Sequence, residues 1–263
     1  MKKYLILSVS VLSVIVLTIG LYLFFQGNNS LNKGIYFRKT FGYIGFVNEN
    51  ISLDFNYFSI KEELVNNDHS NFSLVTVENN EIEVDSYSIK TTKTEKLYTE
   101  NVINIRINEE NGHYTFCKLR LYSGNNYVDY NIGNVQVVSI STNLQVPKFL
   151  EMSYNQSFIN DEFDISIRNI SSSDINIVEV KMNNDVYINE NPKNIILKSN
   201  EIYNYAIKLH TDKISKYDII KVRPIIEFNC DSDTNLYIRT IAFTAEKIES
   251  LKVTEIYEFI NTK

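Results

Sequence analysis

Beyond residue 34 the chain alternates apolar and polar residues in short runs. Ile51, Leu53, Phe55 and Tyr57 alternate with Ser52, Asp54 and Asn56. Ile103, Ile105 and Ile107 alternate with Asn104 and Arg106. The pattern returns at Phe163, Ile165 and Ile167, and again at Tyr203, Tyr205, Ile207 and Leu209. A period of two is that of a strand with one buried face and one wetted face. Turn-forming clusters separate the runs: Asn66-Asn67-Asp68, Asn79-Asn80, Glu109 to Gly112, Ser123 to Asn126, Ser171 to Asp174, Asn183 to Asp185 and Asp231 to Asp233. Strands and turns at this spacing predict antiparallel sheets packed as sandwiches, not alternating β and α units. Helical spacing emerges only at the end. Ile248, Leu251, Glu255 and Phe259 fit a short C-terminal helix, although Leu251 with Val253 fits a strand equally well.

The first residues follow a different rule. After Met1-Lys2-Lys3, the run Tyr4–Phe25 carries no charge. Its 22 residues give roughly 33 Å of helix, enough to cross a hydrocarbon core of about 30 Å. A cleaved signal peptide has a shorter apolar region and a small-residue cleavage site. This run instead ends Leu21-Tyr22-Leu23-Phe24-Phe25, and no cysteine follows it for lipid attachment. It therefore predicts an uncleaved signal-anchor. Lys2 and Lys3 place the N-terminus in the cytoplasm and the bulk of the chain outside it. Residues 1–3 are then a cytoplasmic start, 4–25 the transmembrane anchor and 26–34 a linker.

Two stretches about a hundred residues apart resemble each other. Ile105-Arg106-Ile107 precedes Lys118-Leu119-Arg120, and Ile207-Lys208-Leu209 precedes Lys221-Val222-Arg223. A boundary near Thr142 to Pro147 divides the remainder into parts of domain size. The expected division is a β-sandwich at 35–143, a second at 144–247 and a tail at 248–263. In the second part, Phe163 to Asn169 ends a strand on Asn, Ile175 to Met182 supplies its partner, and Leu197-Lys198-Ser199-Asn200-Glu201 turns into Tyr203 to Leu209. That arrangement resembles the immunoglobulin-like modules of bacterial cell-surface proteins. The resemblance implies an immunoglobulin-like fold for the second part; with the repeated stretches and the N-terminal run, the expected fold is mainly β, two tandem immunoglobulin-like antiparallel sandwiches behind a transmembrane helix. The resemblance carries no functional residue across, and there is no Cys-Trp-Cys framework.

Composition narrows the function. The net charge is −6, and setting Lys2 and Lys3 aside leaves −8 for the rest. An acidic ectodomain argues against nucleic acid and against anionic lipid as partners. Only 8 Gly are present, which argues against a phosphate-binding glycine loop. Trp is absent while Tyr numbers 18, so the aromatic residues read as packing groups spread over most strands.

Each candidate for chemistry has a plainer reading. Cys117 shares a strand face with Leu119 and Leu121 and reads as a small buried residue. Cys230 lies at a strand end, and a disulfide to Cys117 would have to join the two domains. His69, His113 and His210 are far apart, without the short pairing a zinc site needs. Asn229, Asp231, Asp233 and Asn235 have calcium-loop spacing but lack its glycine and closing glutamate. Lys118, Arg120, Lys221 and Arg223 read as outward basic pairs, on a solvated strand face or a charge-protected edge strand, or against acidic wall polymers or headgroups. No catalytic, cofactor-binding or metal residue is assigned.

The sequence therefore predicts a non-enzymatic, membrane-anchored binding protein, presenting its modules to a protein or cell-envelope polymer. The alternative is an accessory or scaffold subunit of a larger membrane complex. In that case Ser10, Ser13 and Gly20, which share one face of the anchor helix, would pack closely in the membrane.

Overall fold

The structure is a computed structural model that describes residues 34–61, 64, 71–109, 111–142, 149–157, 162–183, 192–209, 216–230, 235–240 and 242–246. The anchor at 4–25 and the tail at 248–263 lie outside the described residues. Within them the regular elements are all strands. No helix there is long and apolar enough to cross a membrane.

The first nine strands are β1 (Gly34–Phe37), β2 (Thr40–Val47), β3 (Ile51–Ile60), β4 (Asn71–Thr76), β5 (Glu81–Glu83), β6 (Ser86–Thr94), β7 (Thr99–Ile107), β8 (Gly112–Ser123) and β9 (Asn126–Ile140). The others are β10 (Leu150–Ser157), β11 (Glu162–Asn169), β12 (Ile175–Lys181), β13 (Lys193–Leu197), β14 (Ile202–Lys208), β15 (Ile219–Arg223), β16 (Ile225–Cys230), β17 (Leu236–Arg239) and β18 (Phe243–Glu246). The alternating runs seen in the sequence are β3, β7, β11 and β14. Four sheets result: β1-β3-β7-β6, β10-β11-β14, β13-β12-β16-β17 and the seven-stranded β18-β15-β2-β9-β8-β4-β5.

Two cores lie between these sheets. The first takes Ile51, Leu53 and Phe55 of β3 and Ile103, Ile105 and Ile107 of β7. Facing them are Phe72, Leu74, Phe116, Leu119 and Val135 of the seven-stranded sheet. The second gathers Ile165, Ile167, Ile175, Ile177, Ile207 and Phe228, with Phe41, Val222 and Phe243 contributed by the end of the seven-stranded sheet.

Strand β2 belongs to both cores. Phe46 packs into the first and Phe41 into the second. Its sequence TFGYIGFV is a nearly continuous apolar run, as expected of a strand covered on both faces. It pairs in parallel with β9 on one side and with β15 on the other. The seven-stranded sheet thus crosses the expected boundary between 143 and 144. Lys39 N donates to Asp218 Oδ2 at 2.7 Å, and Asp218 N donates to Lys39 O at 2.8 Å, beside the β2–β15 pairing.

Pro224 alone separates β15 from β16, and there the chain changes sheets. A proline has no N–H to offer either ladder, and its carbonyl accepts from Thr240 N at 2.9 Å.

Asn169 closes one end of the second core. It is 0% exposed. Its Nδ2 donates to Ser173 O at 2.8 Å and to Leu197 O at 2.9 Å. Its Oδ1 accepts from Ser171 N at 2.9 Å and Ser171 Oγ at 2.7 Å. One side chain thus ties the β11–β12 turn to the end of β13.

The β8–β9 hairpin contains a bulge. Its register shifts between Phe116 and Lys118, which pair with Val135 and Asn131. Phe116 and Leu119 are both 0% exposed, as are Ile132 and Val135. Inward positions three apart mean that the alternation changes phase across the bulge. Gly133 sits inside it with φ +108°.

Candidate interaction surface

Arg120 and Arg223 are buried, which corrects their reading as part of a solvated face, while Lys118 and Lys221 remain partly exposed. Arg120 is only 7% exposed. Its Nε donates to Asp129 Oδ1 at 2.6 Å and its Nη2 to Asp129 Oδ2 at 2.9 Å, a two-point fork. A third bond goes to Glu81, which also accepts from the Tyr122 hydroxyl. The Tyr127 ring covers the guanidinium at 4.0 Å. Lys118 reaches the same Asp129 at 3.4 Å. Arg223 is buried over the Phe46 ring and donates to Glu49 at 3.0 Å, an acid that Arg239 shares at 3.0 Å. Burial pulls the Arg223 guanidinium below its ordinary pKa, against the opposing pull of Glu49. Lys221 Nζ donates to Asp54 O at 2.7 Å, linking β15 to β3. All four cations serve internal bonds.

The hydrogen bonds from Arg120 hold the Asp129 carboxyl below the usual carboxylate range, with help from Lys118. A depressed native pKa stabilises the fold above the unfolded-state value of about 3.9, and that contribution disappears as pH falls through the native pKa. Asp129→Asn should lower the melting temperature at pH 7. It should also flatten the decline of melting temperature below about pH 4. Thermal unfolding of both proteins from pH 7 to 2 checks this, and parallel curves would disprove it.

The remaining candidates stay apart. Cys117 occupies the bulge, not a regular position on the Leu119 face, because the phase change intervenes. Its Sγ lies 3.5 Å from Thr76 O, and burial raises its pKa, which disfavours the reactive thiolate. No disulfide joins Cys117 to Cys230. His113 is exposed and contacts Gln136 at 2.7 Å. His69, His210, Asp231 and Asp233 lie outside the described residues. Asn235 donates to Glu227, and Lys181 reaches that acid at 2.6 Å. Among the described residues no group of three or more His, Cys, Asp or Glu is placed to hold a metal.

The sequence reading passed over β6. This strand is last in its sheet and pairs with β7 alone. All 9 of its residues, SYSIKTTKT, are exposed. Thr supplies β-branching, Ser and Lys supply solubility, and only Tyr87 and Ile89 are large apolar groups. These two stand opposite Ile105 and Ile103. Those neighbours are 0% exposed, whereas Tyr87 is 37% and Ile89 39% exposed. The first core therefore closes at β7, and Tyr87 and Ile89 form its rim. Tyr87 meets Phe72 edge-on at 4.7 Å.

On the other face, Ser88 and Lys90 stand opposite Asn104 and Val102, with Arg106 opposite Ser86. Lys90 and Arg106 make no ion pair among the described residues, while Lys93 is taken by Glu95 at 3.1 Å. The register shifts between Thr91 and Lys93, so the regular edge runs from Ser86 to Thr91. On an edge strand, alternate residues turn their N–H and C=O away from the sheet. This edge thus combines backbone bonding groups, an apolar rim and two unneutralised cations. The signal in the sequence was the Ser/Thr/Lys run itself, a composition typical of edges.

The outer face of β10-β11-β14 offers a shallow hollow between Glu151, Ser153, Arg168 and Ile202. Its polar groups bond one another: Ser166 Oγ donates to Asn204 Oδ1 at 2.6 Å, and Arg168 lies 3.8 Å from Glu151.

No protein-family model matches the chain, and no curated protein matches it. Among solved structures, a protein of unknown function from Porphyromonas gingivalis W83 is similar at 12% identity, over 81% of this chain and 96% of that one, with a TM-score of 0.26. A likeness at that score carries no argument about fold or function.

Proposed function

We propose that this chain is a membrane-anchored, extracytoplasmic binding protein without catalytic activity, which presents immunoglobulin-like sandwiches to a protein or cell-envelope partner. The observation that carries the reading is β6: an edge strand exposed along its whole length, with apolar side chains at its rim. Edges of this kind are bonding surfaces for other chains unless something covers them. The tandem-sandwich part of the reading draws on the two separate cores and on the Asn169 clamp. The anchor part draws on the uncharged run Tyr4–Phe25 and the lysines before it.

Crosslinked membranes test the proposal. The full chain and a version carrying an unrelated anchor helix are each pulled down, and the captured proteins are compared. A shared partner is the expected result. Loss of the partner with the foreign helix would favour an accessory subunit held by its membrane segment. Capture of nothing specific by either chain would refute the binding reading.

A further inference from the structure

We infer that the β6 edge accepts an extended acidic peptide segment as an added strand, with apolar residues at alternate positions of that segment. The inference rests on the binding reading above and names its site and partner chemistry. A strand laid along Ser86 to Thr91 would complete the row of backbone bonds that β7 satisfies on one side only. Its alternate side chains would fall on two faces. Those on the core side would cover Tyr87 and Ile89 and extend the first core by one strand. Those on the outer side would meet Lys90 and Arg106, where carboxylates find cations that no acid of the described chain neutralises.

Charge decides between occupants. Two copies of this edge paired antiparallel over Ser86 to Thr91 would set Lys90 of each opposite Ser86 of the other, in line with Arg106 and with no acid between them. A neutral strand gains the backbone bonds but leaves both cations uncompensated. An acidic strand gains both terms. The lysines that discourage indiscriminate edge pairing thereby select the partner. The bulge after Thr91 limits the contact to about six residues, roughly 20 Å of strand.

The test uses the full chain in detergent micelles and a fluorescein-labelled peptide, Thr-Glu-Val-Glu-Ile-Glu-Val-Thr. Binding is read by fluorescence anisotropy, and the site by amide hydrogen exchange. Two further peptides are N-methylated on one or the other set of alternate residues. One set faces β6 and the other faces away. Methylation of the facing set should weaken binding by about tenfold or more, and methylation of the other set should change it little. Exchange should slow at residues 86–91. Lys90→Glu should weaken binding about fivefold, and less at high salt.

Equal binding by both methylated peptides would mean attraction without strand addition and would overturn the proposal. No binding, or protection elsewhere, would overturn it as well. Protection of 86–91 that grows with protein concentration in the absence of peptide would assign the edge to a second copy. If the membrane partner is captured by the unmodified and the Lys90→Glu chains alike while the unmodified chain binds no peptide, the binding reading stands and this site is excluded. If the peptide binds as predicted while the membranes yield no partner, the edge is real and the broader reading fails.

Discussion

Replacing Asn169 with alanine should lower stability by about 3–5 kcal/mol, a large share of the 5–15 kcal/mol available to a typical protein. The side chain is 0% exposed and makes four hydrogen bonds, each between 2.7 and 2.9 Å. Each bond contributes about 1 kcal/mol net, and the orphaned carbonyls of Ser173 and Leu197 add a desolvation cost. Ser171→Ala removes the hydroxyl whose one proton is shared between Asn169 Oδ1 at 2.7 Å and Ser173 O at 2.8 Å. Its cost should be smaller, about 1–2 kcal/mol. Asn169→Asp keeps the acceptor but turns a buried carboxylate towards two carbonyls. Its stability should recover as pH falls and the carboxyl becomes a donor. Urea unfolding followed by circular dichroism measures all three. A loss below about 1 kcal/mol for the alanine variant would show that the clamp is replaceable by water.

Gly133→Ala should be at least as damaging, at about 4 kcal/mol or more. Two causes coincide. The φ of +108° lies where L-residues rarely go. A Cβ there would stand 2.0 Å from Thr40 O and 2.6 Å from Thr40 N. Those atoms belong to β2, which has a neighbour on each side and packs into both cores, so the backbone cannot withdraw. Gly124 is the control. Its φ is +62° and nothing lies within 4 Å of its would-be Cβ. Gly124→Ala should cost only the left-handed penalty of about 1–2 kcal/mol. Equal losses at the two sites would refute the steric explanation.

Strand content was readable from the chain because one-sided strands announce themselves. β3 and β7 alternate cleanly, since one face is dry and the other wet. β2 gave no alternation because both of its faces are covered, and a continuous apolar run does not reveal which sheet it serves. Its partner β15, IIKVR, lies far along the chain, and no local pattern marks such a pairing. The phase change at Cys117 was hidden for a similar reason. Strict alternation carried forward from Leu119 places Cys117 inward, whereas the bulge is set by Gly133 on the opposite strand. The strand ending on Asn169 was noticed as a pattern, but its four bonds depend on turns that meet only in space. Arg120 and Arg223 looked solvated because their counter-ions, Asp129, Glu81 and Glu49, sit on other strands or in the loop after β2. β6 escaped notice because an exposed edge lacks the apolar periodicity by which strands are recognised.

The parallel pairing of β2 with β15 also sets a timetable. Thr40 must wait for Ile219 to arrive before that side of its strand is satisfied. Ordering a loop of that length adds entropy cost only slowly, but distant pairings make folding slow. As the chain leaves a ribosome or a translocation channel N-terminus first, β2 gains β9 and then waits for β15 as an apolar strand with one open edge. The nascent protein is therefore most prone to mispairing before residue 219 emerges. A chaperone that held extended apolar segments would have its main task there, and a nonsense mutation between β9 and β15 would leave that edge permanently open.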